Sequence, residues 1–138
     1  MMYLLDTNAV SETSRKRQNA GFAQWFQKTP FEQMVTSCIT IGEIEKGVIA
    51  SKDPERQARL EDWLSAILDN DNQIIGIDLA TTRLWGQLLG SAELKGRSLP
   101  VIDALIAAQC LKNGFTLVTR NVRDFKDIPN LKILCPWD

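Results

Sequence analysis

The 138-residue chain contains no histidine. This absence excludes the commonest general base at neutral pH, the serine–histidine–aspartate triad and every zinc site built on imidazole. If the protein is an enzyme, its chemistry must rest on carboxylates, hydroxyls, amines, or a hard metal ion held by oxygen ligands.

Long apolar runs, a basic excess and paired cysteines are also missing. No run approaches the length of a membrane span and no secretory signal is visible, so we expect no membrane partner. Cys38, Cys110 and Cys135 are an odd number without metal-type spacing, which fits reduced thiols in a cytoplasmic protein. The net charge of −1 does not by itself indicate nucleic-acid binding. If several acids converged on one metal, however, the remaining surface would be net positive.

Segments typical of strands and helices alternate along the chain, with no repeat, low-complexity tract or linker, so we expect one domain over residues 1–138. A strong helix is predicted in DPERQARLEDWLSAILDND, capped by Asp53 with Pro54 in the first turn. Two other helices are predicted as VSETSRK and AGFAQWFQK, and another opens at a Thr40–Glu43 capping box. Strands are predicted in MYLLD, MVTSCIT, QIIGID, FTLVT and LKILC. This alternation predicts an α/β sandwich around a mostly parallel sheet.

Polar side chains follow the predicted strands at the edge where sites form in such sheets. Asp6 ends the first strand, and Thr119, Asn121 and Asp124 follow a later one. Turn chemistry explains Asn121 or Asp124 alone, because both residue types bond their own backbone. It explains less well why polar groups follow strand ends at three separate places.

Asp103 is the only charged side chain between Ser98 and Leu111, in a helix that is apolar almost all round. A favourable helix dipole contributes roughly 0.3–1 kcal/mol at an exposed site, which is small beside the several kcal/mol that a buried, unpaired ion costs. Asp103 therefore needs a cap, an arginine partner or a metal. The role of Glu43 is likewise undecided from the sequence. It fits the capping box, and it also lies in a first helical turn, from which its side chain can reach the sheet edge.

Four segments, LLDTN, TIGEIEKG, VIDALIAAQC and LVTRNVRDF, together resemble the PIN-domain family over essentially the whole chain. The similarity is strongest to the VapC-type toxin ribonucleases of bacterial toxin–antitoxin pairs. It implies a PIN-like three-layer α/β/α sandwich with four to five strands, and a Mg²⁺- or Mn²⁺-dependent endoribonuclease.

The resemblance also implies roles for individual residues. Asp6, Glu43 and Asp103 match the three core acids, and we assign the fourth acidic role to Asp124, because Asn121 stands where some members have aspartate. We expect Asp6 and Asp103 to bind the metal directly, since Mg²⁺ keeps several waters and needs few carboxylates. We expect the orienting groups to be Thr7, Asn8, Thr119 and Asn121.

RNA would bind to basic side chains around the rim, through its phosphates. The candidates, chosen by position relative to the motifs, are Arg15, Lys16, Arg17, Lys46, Arg97 and Arg120; Arg15–Arg17 also fits a solvated helix end. The resemblance implies an antitoxin covering the acidic pocket and a second copy of the chain. A candidate dimer surface surrounds Trp63, Leu64 and Trp85, residues that fit ordinary core as well.

Three alternatives remain at this point. A phosphotransferase of the haloacid-dehalogenase type would need an acid where Asn8 stands, and the chain is short for that fold. A PIN-like module could bind partners without cutting RNA, and a PIN nuclease could process RNA without an antitoxin.

Overall fold

A computed structural model describes residues 1–70 and 73–138. Its centre is a parallel five-stranded sheet in the order β3-β2-β1-β4-β5. The strands are β1 (Tyr3–Leu5), β2 (Met34–Ser37), β3 (Ile74–Ile75), β4 (Thr116–Val118) and β5 (Ile133–Leu134). The predicted α/β sandwich with a parallel sheet is confirmed.

Helices connect the strands and cover both faces of the sheet. They are α1 (Thr7–Thr13), α2 (Ala20–Lys28), α3 (Cys38–Ala50), α4 (Pro54–Leu68), α5 (Leu79–Leu94), α6 (Val101–Asn113) and α7 (Val122–Phe125). A short 3-10 helix at Phe31–Gln33 precedes β2. No helix within residues 1–70 and 73–138 is both long enough and apolar enough to cross a bilayer.

Neighbouring residues of the central strands point to opposite faces and build two separate cores. Leu5 and Val118 belong to a core with Phe22 of α2. Leu4 and Leu117 belong to a second core, with Ile106 of α6. The result is three layers, with α1–α4 against one face of the sheet and α5–α7 against the other.

Several helix ends follow their sequence signals. Asp53 caps α4, its Oδ1 accepting hydrogen bonds from the backbone N–H groups of Glu55 and Arg56. Gly114 ends α6 in the left-handed conformation at φ 72°, which glycine adopts without steric cost. The segment predicted as a helix at 53–71 ends at Leu68, and its residue 71 lies outside the described residues.

Several predicted strands are too long, since QIIGID forms only Ile74–Ile75 and LKILC only Ile133–Leu134. Two further boundaries are wrong for one physical reason. The strand predicted as MVTSCIT stops at Ser37, whose hydroxyl caps α3 by accepting from Ile39 N–H at 3.1 Å, so the expected capping box at Thr40–Glu43 does not form. The helix predicted as VSETSRK begins earlier, at Thr7, because Asp6 caps it, and ends before Arg15. Both errors come from polar residues that start a helix directly after a strand.

The three residues that mark the candidate dimer surface, Trp63, Leu64 and Trp85, do not form one patch, and for Leu64 the alternative of ordinary core is confirmed. Leu64 is buried in the same core as Leu60, and Trp63 packs against that core. Trp85 lies on α5, on the other side of the sheet, where its indole N–H donates to the carbonyl of Val101 at 3.0 Å. These side chains stabilise two different layers and do not share one surface.

Candidate metal centre

A cleft of about 190 Å³ opens at the carboxyl edge of the sheet. Residues from β1–α1, α3, α6 and the loop after β4 meet there, although they are far apart in the chain. Its walls consist of Asp6, Thr7, Asn8, Glu43, Ile102, Asp103, Ile106 and Asn121. The three acids matched to the family motif therefore reach one cleft.

Asp6 lies at the bottom of this cleft because it follows the central strand directly. Asp6 is only 7% exposed, and its Oδ1 accepts from the backbone N–H of Ala9 at 2.8 Å, which caps α1. Burial raises the pKa of the Asp6 carboxyl, and the nearby charge of Glu43 adds to that effect. Hydrogen bonds from Thr119 and from backbone N–H groups lower the pKa of Asp6, but they do not outweigh the burial.

A chain of hydroxyls connects α1 with α3. The Thr7 hydroxyl donates to Oε1 of Glu43 and lies 3.2 Å from the Oγ1 of Thr40, which is fully buried. Thr40 was expected only to cap a helix; instead it supports the residue that orients Glu43. The sequence signal for this role is the spacing of Thr40 and Glu43, which are one helical turn apart and therefore lie on the same face of α3, the face towards α1.

Asp103 enters the cleft from the first turn of α6. Its carboxyl pKa is raised, first by burial and then by the charges of Asp124, Asp6 and Glu43. We expected mutual repulsion to raise at least one pKa in this group of acids. The direction agrees, but burial is the larger cause for both Asp6 and Asp103.

The described residues provide no ion-pair partner for these acids, because the lysines and arginines that do form ion pairs contact Glu12, Glu55, Asp78 and Asp127 instead. The cleft offers only hard oxygen donors, which are the ligands that Mg²⁺ and Mn²⁺ accept. In the part of the chain that the structure describes, no three acidic side chains are close enough to form a complete ligand set. An ion held here would therefore have to keep several of its own waters, as Mg²⁺ does.

A model of the PIN domain matches residues 3–131 of this chain. The chain belongs to the PIN-domain family.

The relatives of this PIN domain include Ribonuclease VapC2 from Rickettsia felis, which is 33% identical over 100% of this chain and 99% of its own length. Toxin FitB from Neisseria gonorrhoeae is 26% identical, with 99% of both chains covered. Their lengths match, so the similarity concerns the whole fold and not a fragment.

Two solved structures show the same architecture. The FitAcB structure from Neisseria gonorrhoeae superposes with a TM-score of 0.88 at 27% identity, covering 99% of each chain. The VapBC2 structure from Rickettsia felis, bound to a DNA fragment from the promoter, gives a TM-score of 0.79 at 28% identity, covering all of each chain. The PIN-like three-layer sandwich is thus confirmed.

Asp124, the residue predicted as the fourth acid of this PIN domain, lies outside the cleft, whereas Asn121 lies inside it. Asn121 lines the cleft, and its backbone N–H donates to Thr119 Oγ1 at 3.0 Å. Asp124, on α7, faces a neighbouring cavity instead, although its charge still acts on Asp103. Thr119 and Asn121 thus lie beside the acids of the cleft, and Asp124 lies in the neighbouring cavity.

The predicted RNA-binding side chains are all exposed, and none lines the cleft. Arg15, Lys16 and Arg97 form ion pairs at 3.4 to 3.9 Å with Glu12, Glu55 and Asp127. Lys46 follows Glu43 by one turn of α3, and Arg120 sits between Thr119 and Asn121. Their part in RNA binding stays a prediction.

The raised pKa of Asp103 predicts the effect of pH on the metal-free protein. The ordinary pKa of an aspartate, 3.8, applies to Asp103 in the unfolded chain, and the folded protein raises it. Well below 3.8 the Asp103 carboxyl is protonated in both states. Above the folded pKa it is ionised in both states, and the folded state has lost the corresponding stability. Asp103→Asn should therefore be more stable than the wild type at pH 7 in EDTA, by an amount that shrinks as the pH falls through the raised folded pKa of Asp103 and is gone once the pH is below 3.8.

Urea unfolding between pH 3 and 7 measures this difference. Asp62→Asn, on the exposed face of α4, is the matched control and should show no such pH-dependent gain. An Asp103→Asn protein that is equally or less stable at pH 7 would show that the charge of Asp103 is compensated within the chain.

Proposed function

We propose that this protein is a Mg²⁺- or Mn²⁺-dependent endoribonuclease that acts as the toxin of a toxin–antitoxin pair. The observation that carries the proposal is the cleft in which Asp6, Glu43 and Asp103 meet without a cationic partner among the described residues. We take residues 1–138 as one nuclease domain.

Asp6 and Asp103 are the proposed direct ligands, because both carboxyls line one cleft, Asp6 at its floor and Asp103 at its mouth. The pKa of each carboxyl is raised there, so a bound cation would stabilise the ionised forms. Glu43 and Asp124 would act through water, from the rim. When bound, a divalent ion supplies two things: a lower pKa for coordinated water and neutralisation of charge on the phosphate.

The chain's own residues then perform the positioning. Thr7 fixes the carboxylate of Glu43 by donating to it, so that Glu43 is directed into the cleft. Thr119 donates to the carboxylate of Asp6, and the side-chain amides of Asn8 and Asn121 offer hydrogen bonds to water at the rim. Ile102 and Ile106 form an apolar wall that limits solvent and strengthens the electrostatic interactions inside.

The names of similar proteins support the substrate and the partners. A ribonuclease and a toxin are similar to this chain over nearly its full length, so we infer RNA as substrate and an antitoxin as partner. We further infer a second copy of the chain, without assigning its surface. Three free cysteines support a reducing, cytoplasmic location.

Cleavage should depend on Glu43 and not on its neighbour Glu45, which is exposed on α3 outside the cleft. We expect Glu43→Gln to lower the rate of RNA cleavage about a hundredfold or more, because the amide cannot accept or hold a proton. Glu45→Gln should cleave as the wild type does. The measurement is gel analysis of bacterial total RNA with Mg²⁺ or Mn²⁺, and with EDTA, which should stop the reaction; equal loss in both variants, or activity in EDTA, would contradict the site.

Expression in bacteria separates a toxin from a processing nuclease and from an inactive binding module. We expect the wild type to arrest growth and co-expression of a small DNA-binding protein encoded just upstream to restore it. The substitution Asp6→Asn should abolish the arrest without unfolding α1, because an asparagine side chain also caps a helix. Normal growth of cells that contain folded, RNA-cleaving protein would favour the processing nuclease. Normal growth with no cleavage of any RNA would favour the binding module.

A further inference from the structure

A second and larger cavity, of about 900 Å³, lies beside the acidic cleft. We call it the α5–α7 groove; it is lined by the second half of α5, the segment 95–100, Leu111 of α6, and residues of α7 and the following turn up to Asn130. Its volume falls in the range of sites that hold small organic ligands, roughly 300–1,000 Å³.

Two segments of the chain carry lining residues of both the groove and the cleft, so the two cavities are neighbours. Leu99 and Pro100 line the groove, and Ile102 and Asp103 line the cleft two residues later. Likewise Asn121 belongs to the cleft, while Asp124 belongs to the groove. A ligand that extended out of the cleft past α7 would therefore meet this groove.

The sides of the groove carry three cations, Lys95, Arg97 and Arg123. Arg97 lies 3.9 Å from Asp127, and both side chains are more than half exposed, so this ion pair is weak. Lys95 and Arg123 have no acidic partner within 4 Å among the described residues. Two cations are thus available for an anionic ligand beside the acids.

The floor of the groove is apolar. Leu88, Leu99, Leu111 and Ile128 line it and pack against the core below. The hydroxyls of Ser91 and Ser98 lie on the same walls. An apolar floor with hydroxyls and cations at its edges suits unpaired nucleotides, whose bases are flat and apolar on their faces and whose phosphates are charged.

We propose that the α5–α7 groove binds the single-stranded RNA next to the phosphate that is cleaved, with Lys95 and Arg123 contacting its phosphates. This inference rests on the proposed ribonuclease function, and it adds the path that the bound RNA follows away from the cleft.

An antitoxin peptide is the competing occupant, and charge argues against it here. A peptide that neutralised the carboxylates of the cleft would have to be basic, and the same segment would then run against Lys95, Arg97 and Arg123. An RNA strand meets less conflict, although Asp124 and Asp127 also line the groove and repel its phosphates. Asp127 is already paired with Arg97, and the phosphates are attracted both to a metal-loaded cleft and to Lys95 and Arg123.

Salt dependence of RNA binding tests the proposal. The probe is a fluorescein-labelled, single-stranded 20-nucleotide RNA of random sequence, bound to the uncleaving Asp6→Asn protein and followed by anisotropy over a series of KCl concentrations. Lys95→Gln combined with Arg123→Gln should weaken binding and reduce the slope of log affinity against log salt by about 1.4, or roughly 0.7 per phosphate contact. The control combines Lys28→Gln with Arg56→Gln, two exposed cations on α2 and α4 across the sheet, and should leave the slope unchanged.

Each outcome decides between the hypotheses. A reduced slope for the groove pair alone supports the proposal. The same slope in both pairs, while the protein with Asp6 intact cuts RNA, overturns the groove and leaves the ribonuclease standing. An unchanged slope together with a weaker complex with the co-expressed antitoxin overturns it and assigns the groove to a protein partner. If the intact protein cuts no RNA, the proposed function fails, and the groove proposal fails with it.

Discussion

This structure depends on one constraint: it removes carboxylates from water without giving them a positive partner within the described chain. Asp6 is buried at the end of the central strand, and Asp103 enters the same cleft from an otherwise apolar helix. Both carboxyls have raised pKa values, so the metal-free fold loses stability when they ionise. This loss of stability is best explained by a ligand that neutralises the ionised carboxylates. A divalent cation that keeps some of its own waters is the ligand that matches these oxygen donors.

The parallel sheet makes this concentration of charge possible. β1 lies between β2 and β4, so the residues that follow these strands meet at one edge, where α1 and α3 also begin. Neutral groups hold the acids in place: a backbone N–H of α1 fixes Asp6, and the hydroxyl of Thr7 fixes Glu43. The cations lie further out, on the walls of the α5–α7 groove and on the surface, where they do not neutralise the acids of the cleft.

Elements with strong local signals could be predicted from the sequence, and elements defined by distant contacts could not. α2 and α4 begin where their caps and apolar stripes indicate. The end of β2 was missed because Cys38, Ile39 and Thr40 have strand-like side chains, whereas Ser37 caps a helix there. In the site, the convergence of Asp6, Glu43 and Asp103 followed from strand ends and the family motif. The support from Thr40, and the position of Asp124 in a neighbouring groove, depend on packing between helices that no local pattern encodes.

Anomalous diffraction from crystals of the protein soaked in Mn²⁺ tests the central claim most directly. The account predicts a manganese peak in the cleft, bound by the carboxylates of Asp6 and Asp103, and no peak there in crystals of Asp103→Asn. Crystals that show the cleft empty at millimolar Mn²⁺, or an arginine or lysine side chain placed between these two acids, would contradict it.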